Sequence, residues 1–257
     1  MSRLLRTTAT TLGVLLLVGV VWHLLTSVLG VIPVARFPPP LEVAGAFRQI
    51  SVEGYANGLL LQHVLRSVAL VTMGFVIASV LGVSLGLAMG ASRTVEAIAN
   101  PIFLLLRPIP PLAWIPLAIV WLGLGDAAKM MVIFFAAFVP SVINSYAGVR
   151  QIDTPIFEAA ATLDVKGWRY CSQVLIPGAL PSIFTGLRLS LQASWTTLVA
   201  AELVGAVAGL GVILNQASQD IYPAMIVVGM ISVALCGSLM TAGLGWVERR
   251  AMPWRTV

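Results

Sequence analysis

Long apolar runs separated by short polar segments dominate the pattern along the chain. Six of these runs are long enough to cross a bilayer, and they lie at residues 10–32, 63–90, 101–123, 127–149, 182–208 and 223–247. A spanning helix needs about 20 predominantly apolar residues. No polar stretch approaches the roughly 100 residues of a separate soluble domain. The pattern therefore predicts an all-α membrane protein in which residues 1–257 form a single transmembrane domain.

Composition supports the same conclusion. Of the 257 residues, 59% are hydrophobic and only 10% are charged, and the mean hydropathy is +0.98. A soluble domain carries about 25% charged residues, so this chain has too little polar surface to cover a water-soluble globule, and we expect membrane lipid to surround it. The net charge of +5 does not indicate nucleic-acid binding, because the basic residues form no dense run.

The first apolar run follows two arginines, as the core of a secretory signal does. It is longer than a typical signal core, and no small-x-small cleavage site follows at a suitable distance. We therefore expect residues 10–32 to be an uncleaved first span.

The basic residues predict the orientation of the spans. With a cytosolic N-terminus, the inside segments hold ten of the 15 Lys and Arg residues, the outside segments hold four, and Arg107 lies within a span. This bias follows the positive-inside rule and predicts cytosolic termini and a cytosolic loop at residues 150–181. The ten inside residues are Arg3, Arg6, Arg93, Arg150, Lys166, Arg169, Arg188, Arg249, Arg250 and Arg255.

The loop at residues 150–181 is long and has the pattern of two short helices. Asp153 or Thr154 can cap the first helix, and Pro155 suits its first turn. Glu158 is then expected near the positive end of the helix dipole. A turn follows at residues 164–167, and the second helix is expected to end before Pro177. A loop of this length with its own helices is more typical of a docking element than of a connector.

The sequence EAA at residues 158–160 and VLIP at residues 174–177 resembles the EAA signature of binding-protein-dependent ABC permeases. In that family the loop forms a coupling helix that sits in a cleft of the ATPase subunit. Asp164 stands where the family has a glycine, but Asp tolerates left-handed backbone angles, and Gly167 follows three residues later. The resemblance assigns ATPase coupling to Glu158, Ala159, Ala160, Asp164, Gly167 and Pro177.

Three further motifs are similar to motifs of the nitrate, taurine and aliphatic-sulfonate subfamily of these permeases. They are FPPP at residues 37–40, RPIPPLAWIPLAIVWLGLGDAAK at 107–129 and LPSIFTGLRLSLQASWTTLVAAEL at 180–203. The resemblance implies the type I ABC importer permease fold with six spans, in the bacterial cytoplasmic (inner) membrane. It also implies a permease homodimer, two ATP-binding cassette subunits that carry ATP and Mg²⁺, and a periplasmic or lipid-anchored substrate-binding protein.

Polar residues within spans are candidates for the substrate pathway or its gate, because they are costly at membrane depth. On one interpretation, the Arg107 guanidinium attracts an anionic headgroup or holds a bent helix. On the other, the side chain snorkels to the cytosolic interface. On one interpretation Glu202 gates the pathway or pairs across the dimer; on the other it forms a structural ion pair or faces water. Thr196 and Thr197, beside Trp195, offer hydroxyls to an oxyanion or bond their own backbone.

Several kinds of site are absent from the sequence. It holds no G-x-x-x-x-G-K-[ST] phosphate loop, no catalytic constellation and no set of metal ligands at useful spacing. We therefore expect a non-enzymatic chain without a cofactor of its own. A secondary transporter and an intramembrane enzyme are the alternatives; the former needs mid-span carboxylates, of which Glu202 is the clear example.

The subfamily resemblance implies a small anionic substrate, with taurine or another aliphatic sulfonate as the first choice. Nitrate, bicarbonate, aromatic carboxylates and pyrimidine precursors remain open alternatives, because similar permeases transport them.

Overall fold

The computed structural model describes residues 2–30, 33, 37–205 and 208–254. The described part is built from helices and turns, with one isolated bridge between Tyr55 and Gly58. Its helices are α1 (Ser2–His23, continued by a π-helical turn at Leu24–Val28), α2 (Pro40–Val52), α3 (Leu60–Ala91), α4 (Arg93–Leu106), α5 (Ile115–Leu122, after a 3₁₀ turn at Pro111–Trp114), α6 (Asp126–Arg150), α7 (Thr154–Thr162), α8 (Gly167–Tyr170, followed by a π-helical turn at Cys171–Leu175), α9 (Ile176–Gly205), α10 (Leu210–Gln219) and α11 (Pro223–Ala251).

Contacts divide the chain into two compact units. Unit 1 comprises Met1–Val64 and Val207–Ser232, and unit 2 comprises Leu65–Ala206 and Val233–Val257. The single transmembrane domain stays a prediction.

Four helical segments of the described residues are long and apolar enough to cross a membrane, or five if a bent pair forms one span. The four are Leu60–Ala91, Asp126–Arg150, Gly167–Gly205 and Pro223–Ala251, and Leu16–Val28 is a shorter apolar helix. They correspond to five of the predicted runs. Residues 31–32, 206–207 and Arg255 lie outside the described residues. The count of six spans and the cytosolic termini stay predictions.

The predicted third span is not one helix. Helix α4 begins at Arg93, inside the link expected before residue 101, and Ser92 caps it by accepting a hydrogen bond from the Val95 amide at 3.4 Å. The chain then bends by 84° between Leu106 and Pro111. Three prolines in this stretch remove backbone donors and clash with a continuing helix, which explains the break.

Two segments predicted as loops contain helices. Helix α2 lies in the polar stretch after the first span, and α10 lies in the loop expected at residues 209–222. Both helices bury apolar side chains at helical spacing, and both are too short to cross a bilayer. The buried residues are Val43, Ala46 and Ile50 in α2 and Leu210, Ile213 and Ala217 in α10.

In unit 1, a buried histidine joins three chain segments. The His63 ring is fully buried; its Nδ1 accepts a hydrogen bond from the Gly209 amide and its Nε2 lies 3.0 Å from the Tyr55 carbonyl oxygen. The Tyr55 hydroxyl donates to Asp220 at 2.5 Å. Burial, followed by this bond, raises the pKa of Tyr55 above its ordinary value. Both ring nitrogens of His63 therefore have hydrogen-bond partners within the fold, and the residue has a structural role.

In unit 2, glycines allow α3 and α6 to pack closely. A Cβ added at Gly86 would lie 2.5 Å from the Val142 carbonyl oxygen, and one at Gly90 would lie 2.6 Å from the Val149 Cβ. A Cβ at Gly82 would meet the Ser141 Cβ at 2.7 Å. These distances show that α3 and α6 approach closely, as small residues at four-residue spacing allow.

Candidate coupling surface and substrate pathway

Helix α7 is the first helix predicted in the loop at residues 150–181. It begins after Asp153, and Pro155 lies in its first turn. The Asp153 side chain makes no capping hydrogen bond. Glu158 is the fifth residue of the helix and lies outside its first turn, so the expectation that it sits at the positive end of the dipole is wrong.

One face of α7 is anchored to the rest of unit 2. Ala160 is buried, and Phe157 packs against an apolar cluster that also contacts Tyr170. The Phe157 and Tyr170 ring centroids lie 6.3 Å apart. The cluster consists of Val149 near the end of α6, Ile152 just after that end, Leu175, and Ala179 and Ile183 in α9. Because these apolar contacts fix its inner face, α7 is held to the ends of two long helices.

The opposite side of α7 and the turn after it are exposed. Glu158 and Ala159 are exposed, and within the described residues no ion pair or side-chain hydrogen bond involves Glu158. Large apolar side chains flank them: Leu163 is 76% exposed and Trp168 is 78% exposed. Bare apolar groups beside a free carboxylate in a polar loop are typical of a surface that binds another protein. We call Glu158, Ala159, Leu163 and Trp168 the coupling surface.

The turn after α7 keeps its shape without the family glycine. Asp164 adopts a left-handed conformation with φ of 50°. Its amide donates to the Ala161 carbonyl at 3.1 Å, and the Val165 amide donates to the Ala160 carbonyl at 3.0 Å. This pair of bonds is a Schellman motif with Asp164 at the position usually taken by glycine. The expectation that Asp would support the turn is confirmed; Gly167 is also left-handed, with φ of 59°.

Asp164→Gly should preserve this turn, whereas Asp164→Val should destabilise it. Glycine adopts left-handed angles freely, but an ordinary side chain there costs about 1–2 kcal/mol. The local unfolding of the loop should rise about 5–30-fold in the valine variant. Limited proteolysis of the purified chain measures this, and equal cleavage rates in the two variants would contradict the need for a left-handed conformation at position 164.

The second predicted helix does not end before Pro177. Residues Gly167–Gly205 form one helical segment of 39 residues. A π-helical turn covers Cys171–Leu175, and the Ile176 amide bonds to the Cys171 carbonyl five residues earlier. Proline lacks an amide donor and clashes with the carbonyl four residues before it; a wider turn directly ahead of Pro177 relieves both problems. Pro177 therefore marks a continuous connection between the coupling loop and α9.

The candidate pathway residues of α9 do not share one face. Trp195, Thr197 and Glu202 are buried, whereas Thr196 is exposed. The Thr196 hydroxyl donates to the Ala193 carbonyl at 3.0 Å, which is the backbone-bonded alternative. Within the described residues, the Trp195 Nε1 has no hydrogen-bond partner. Any role of these residues toward substrate stays a prediction.

Glu202 is almost completely buried, with 1% of its surface exposed. It accepts a hydrogen bond of 2.8 Å from the Ser67 hydroxyl of α3. A buried carboxylate needs such partners because leaving it unpaired in an apolar environment is costly. Ser67 was not singled out from the sequence, since nothing in the pattern relates two residues so far apart along the chain.

Arg107 lies at the end of α4, where the chain bends. It is exposed, and the described residues provide no ion pair for it. Both interpretations of Arg107, namely attraction of an anion or support of the bent helix, and snorkelling to the interface, stay predictions.

Charged side chains link the helices of unit 2, and two of these groups involve three residues each. Asp126 pairs with Lys129, with 3.3 Å between the Lys129 Nζ and the Asp126 Oδ1, and Arg66 also pairs with Asp126. The second cluster joins Glu96 of α4 to Tyr146 and Arg150 of α6. The sequence did not predict this second cluster, because its pattern identified Arg150 only as one of the basic residues on the cytosolic side. Within the described part of the chain, no group of three or more His, Cys, Asp or Glu side chains could hold a metal ion.

Comparison with known proteins finds relatives that are named as transport permease proteins. The taurine transport system permease protein TauC of Escherichia coli is 34% identical over 244 residues, covering 95% of this chain and 88% of that protein. The putative aliphatic sulfonates transport permease protein SsuC of Bacillus subtilis is 33% identical, covering 91% and 83%. The bicarbonate transport system permease protein CmpB of Synechococcus elongatus is 36% identical, covering 76% and 70%.

A solved structure confirms the fold. An inward-facing structure of the MetNI methionine ABC transporter superposes with a TM-score of 0.63 at 22% identity, covering 75% of this chain and 95% of that one. This likeness confirms the ABC importer permease fold that the sequence resemblance implied. Residues 78–253 match the family model described as binding-protein-dependent transport system inner membrane component. The chain therefore belongs to this family of membrane transport components and is not an enzyme.

Proposed function

We propose that the chain is the permease of an ATP-driven importer and works as a homodimer with two ATPase subunits and an external substrate-binding protein. The observation that carries this proposal is the coupling surface. The folding of this chain alone does not explain why α7 and the turn after it expose Glu158 together with the apolar side chains of Leu163 and Trp168. Such a surface suits a partner that excludes water from it. We place the assembly in the bacterial inner membrane.

We propose a small anion as substrate, with taurine or another aliphatic sulfonate first. The names of two relatives, which are permeases for taurine and for aliphatic sulfonates, support this choice. Bicarbonate is the first alternative, because a relative of similar identity carries that name. Nitrate, aromatic carboxylates and pyrimidine precursors are the remaining alternatives.

The proposed mechanism is alternating access. Binding of ATP and Mg²⁺ on the partner ATPases brings those subunits together and moves α7. Helix α7 is attached to α9 through the Asp164 turn and the apolar cluster around Phe157. Its movement therefore displaces the helix that carries Trp195, Thr197 and Glu202. The path opens outward to receive substrate from the binding protein, and hydrolysis of ATP reverses the change.

A secondary transporter is the second candidate function. The buried carboxylate of Glu202 favours it, because ion-coupled transporters place such groups within their spans. It gives no role to the exposed coupling surface, and we therefore rank it below the ATP-driven importer.

Reconstitution separates the two candidates. The chain would be placed in liposomes with its ATPase and binding protein, and uptake of radiolabelled taurine would be measured with ATP inside or with an ion gradient alone. We expect uptake that requires ATP and the ATPase. Uptake by the chain alone, driven by the ion gradient, would contradict the proposal.

A further inference from the structure

A three-residue cluster joins α4 to the end of α6. Both oxygens of the Glu96 carboxylate are occupied: the Tyr146 hydroxyl donates to Oε1 and the Arg150 guanidinium pairs with Oε2. The Arg150 guanidinium also lies over the Tyr146 ring, 5.6 Å from its centroid. The two donors come from adjacent turns of α6, so the carboxylate is fixed in both position and orientation.

The cluster lies next to the coupling loop. Arg150 is the last residue of α6, and only three residues separate it from the start of α7. Val149 and Ile152, on either side of this helix end, belong to the apolar cluster that anchors Phe157 of α7. A displacement of α7 should therefore act on the part of α6 that holds Arg150.

Glu96 lies at the opposite end of α4 from the bend. Helix α4 runs from Arg93 to Leu106, and the 84° change of direction follows it. Farther along, α4 packs on α6 through Phe103, whose ring centroid lies 6.5 Å from that of Phe138. Helix α4 therefore contacts α6 near both of its ends, through Glu96 and through Phe103.

We propose that Glu96, Tyr146 and Arg150 form a latch that makes α4 follow the cytosolic end of α6, so that movement of the coupling helix reaches the bend after Leu106. These are positioning residues and need not contact substrate. The inference rests on the proposed function, because it assumes that an ATPase moves α7. It adds a second path of movement beside the direct connection from α7 to α9.

The exposure of the Glu96–Arg150 pair indicates that it positions α4 on α6 and contributes little to the stability of the fold. The Arg150 side chain is 47% exposed and that of Glu96 is 22% exposed. Ion pairs with this exposure contribute little to folding. Removing one partner should therefore leave a folded chain, and a functional effect would report on movement rather than on unfolding.

Spin labels in the assembled complex test the latch without knowledge of the substrate. One label is attached through Thr154→Cys at the start of α7, and in a separate sample through Val120→Cys in α5; both positions are exposed. The native cysteines are removed by Cys171→Ala and Cys236→Ala. Distances between the two copies of each label are measured without nucleotide and after trapping with ADP and vanadate.

In the complex with the latch intact, both positions should shift on trapping by about 2 Å or more, the scale of helix movements at interfaces. With Glu96→Gln or Arg150→Gln, the shift at position 154 should persist and that at position 120 should be lost. The double exchange Glu96→Arg with Arg150→Glu should restore it.

Two results would overturn the latch: position 120 still shifting in both single variants, or the double exchange leaving it immobile while position 154 moves. Absence of any shift at position 154 in the otherwise unaltered complex would instead refute the proposed coupling to an ATPase, and the latch with it. Copurification of the ATPase with each variant controls for loss of assembly.

Discussion

Glu158→Lys is expected to lower ATP-driven uptake by about tenfold or more while the complex continues to hydrolyse ATP. Glu158 is the one charged group of the coupling surface, and the described residues leave its carboxylate free for a partner. Reversing a charge at a protein interface places like charges together or leaves a buried charge unpaired, which costs several kcal/mol. Because α7 is anchored by Phe157 and Ala160 on its other face, the helix itself should remain folded.

The measurement is the ratio of substrate moved to ATP hydrolysed in proteoliposomes. Glu42→Lys is a suitable control, since Glu42 is an exposed glutamate of α2 outside the coupling loop. The control should transport normally, because it makes the same change of charge elsewhere. Wild-type uptake in Glu158→Lys would count against a role for the coupling surface.

Gly86→Ala is expected to destabilise the protein clearly, although alanine is the better helix former. The added Cβ would lie 2.5 Å from the Val142 carbonyl oxygen, which belongs to the backbone of α6 and cannot turn aside. Overpacking of this kind costs about 1–3 kcal/mol. The two helices would have to separate, and the contacts along Gly82 and Gly90 would be lost with them.

Gly243→Ala in α11 is the matched control, because an added Cβ there meets nothing within 4 Å. By helix propensity alone it should be neutral or stabilising by up to about 1 kcal/mol. Thermal unfolding of the detergent-solubilised variants measures the difference. Equal unfolding temperatures for the two variants would show that α3 and α6 do not pack as closely as described.

The sequence predicts those features that depend on local pattern. Apolar runs of about 20 residues identify α3, α6, α9 and α11, because a bilayer sets the length that a helix needs. The tolerance of Asp for left-handed angles predicts the turn at Asp164, because that preference belongs to the residue itself. The helix that carries Glu158 is likewise predictable from its proline and its alanines.

Other features depend on tertiary context and could not be predicted. The exact bend after Leu106 depends on which of several neighbouring prolines breaks the helix, and the π-helical turn before Pro177 allows a helix where a proline normally suggests an end. Helices α2 and α10 are too short for a spanning window to detect. The pairs Ser67–Glu202 and Glu96–Arg150 join residues far apart in sequence, and no local periodicity reports such contacts.

The most direct test of the account asks which side of the membrane the coupling surface faces and what it touches. Ala159→Cys, in a background with Cys171→Ala and Cys236→Ala, places a thiol on the exposed side of α7. In intact cells this thiol should resist a membrane-impermeant maleimide, and in inside-out vesicles a maleimide that carries a photoreactive benzophenone should, after irradiation, cross-link it to the ATPase subunit. Labelling from outside intact cells, together with the absence of the cross-link, would contradict the account.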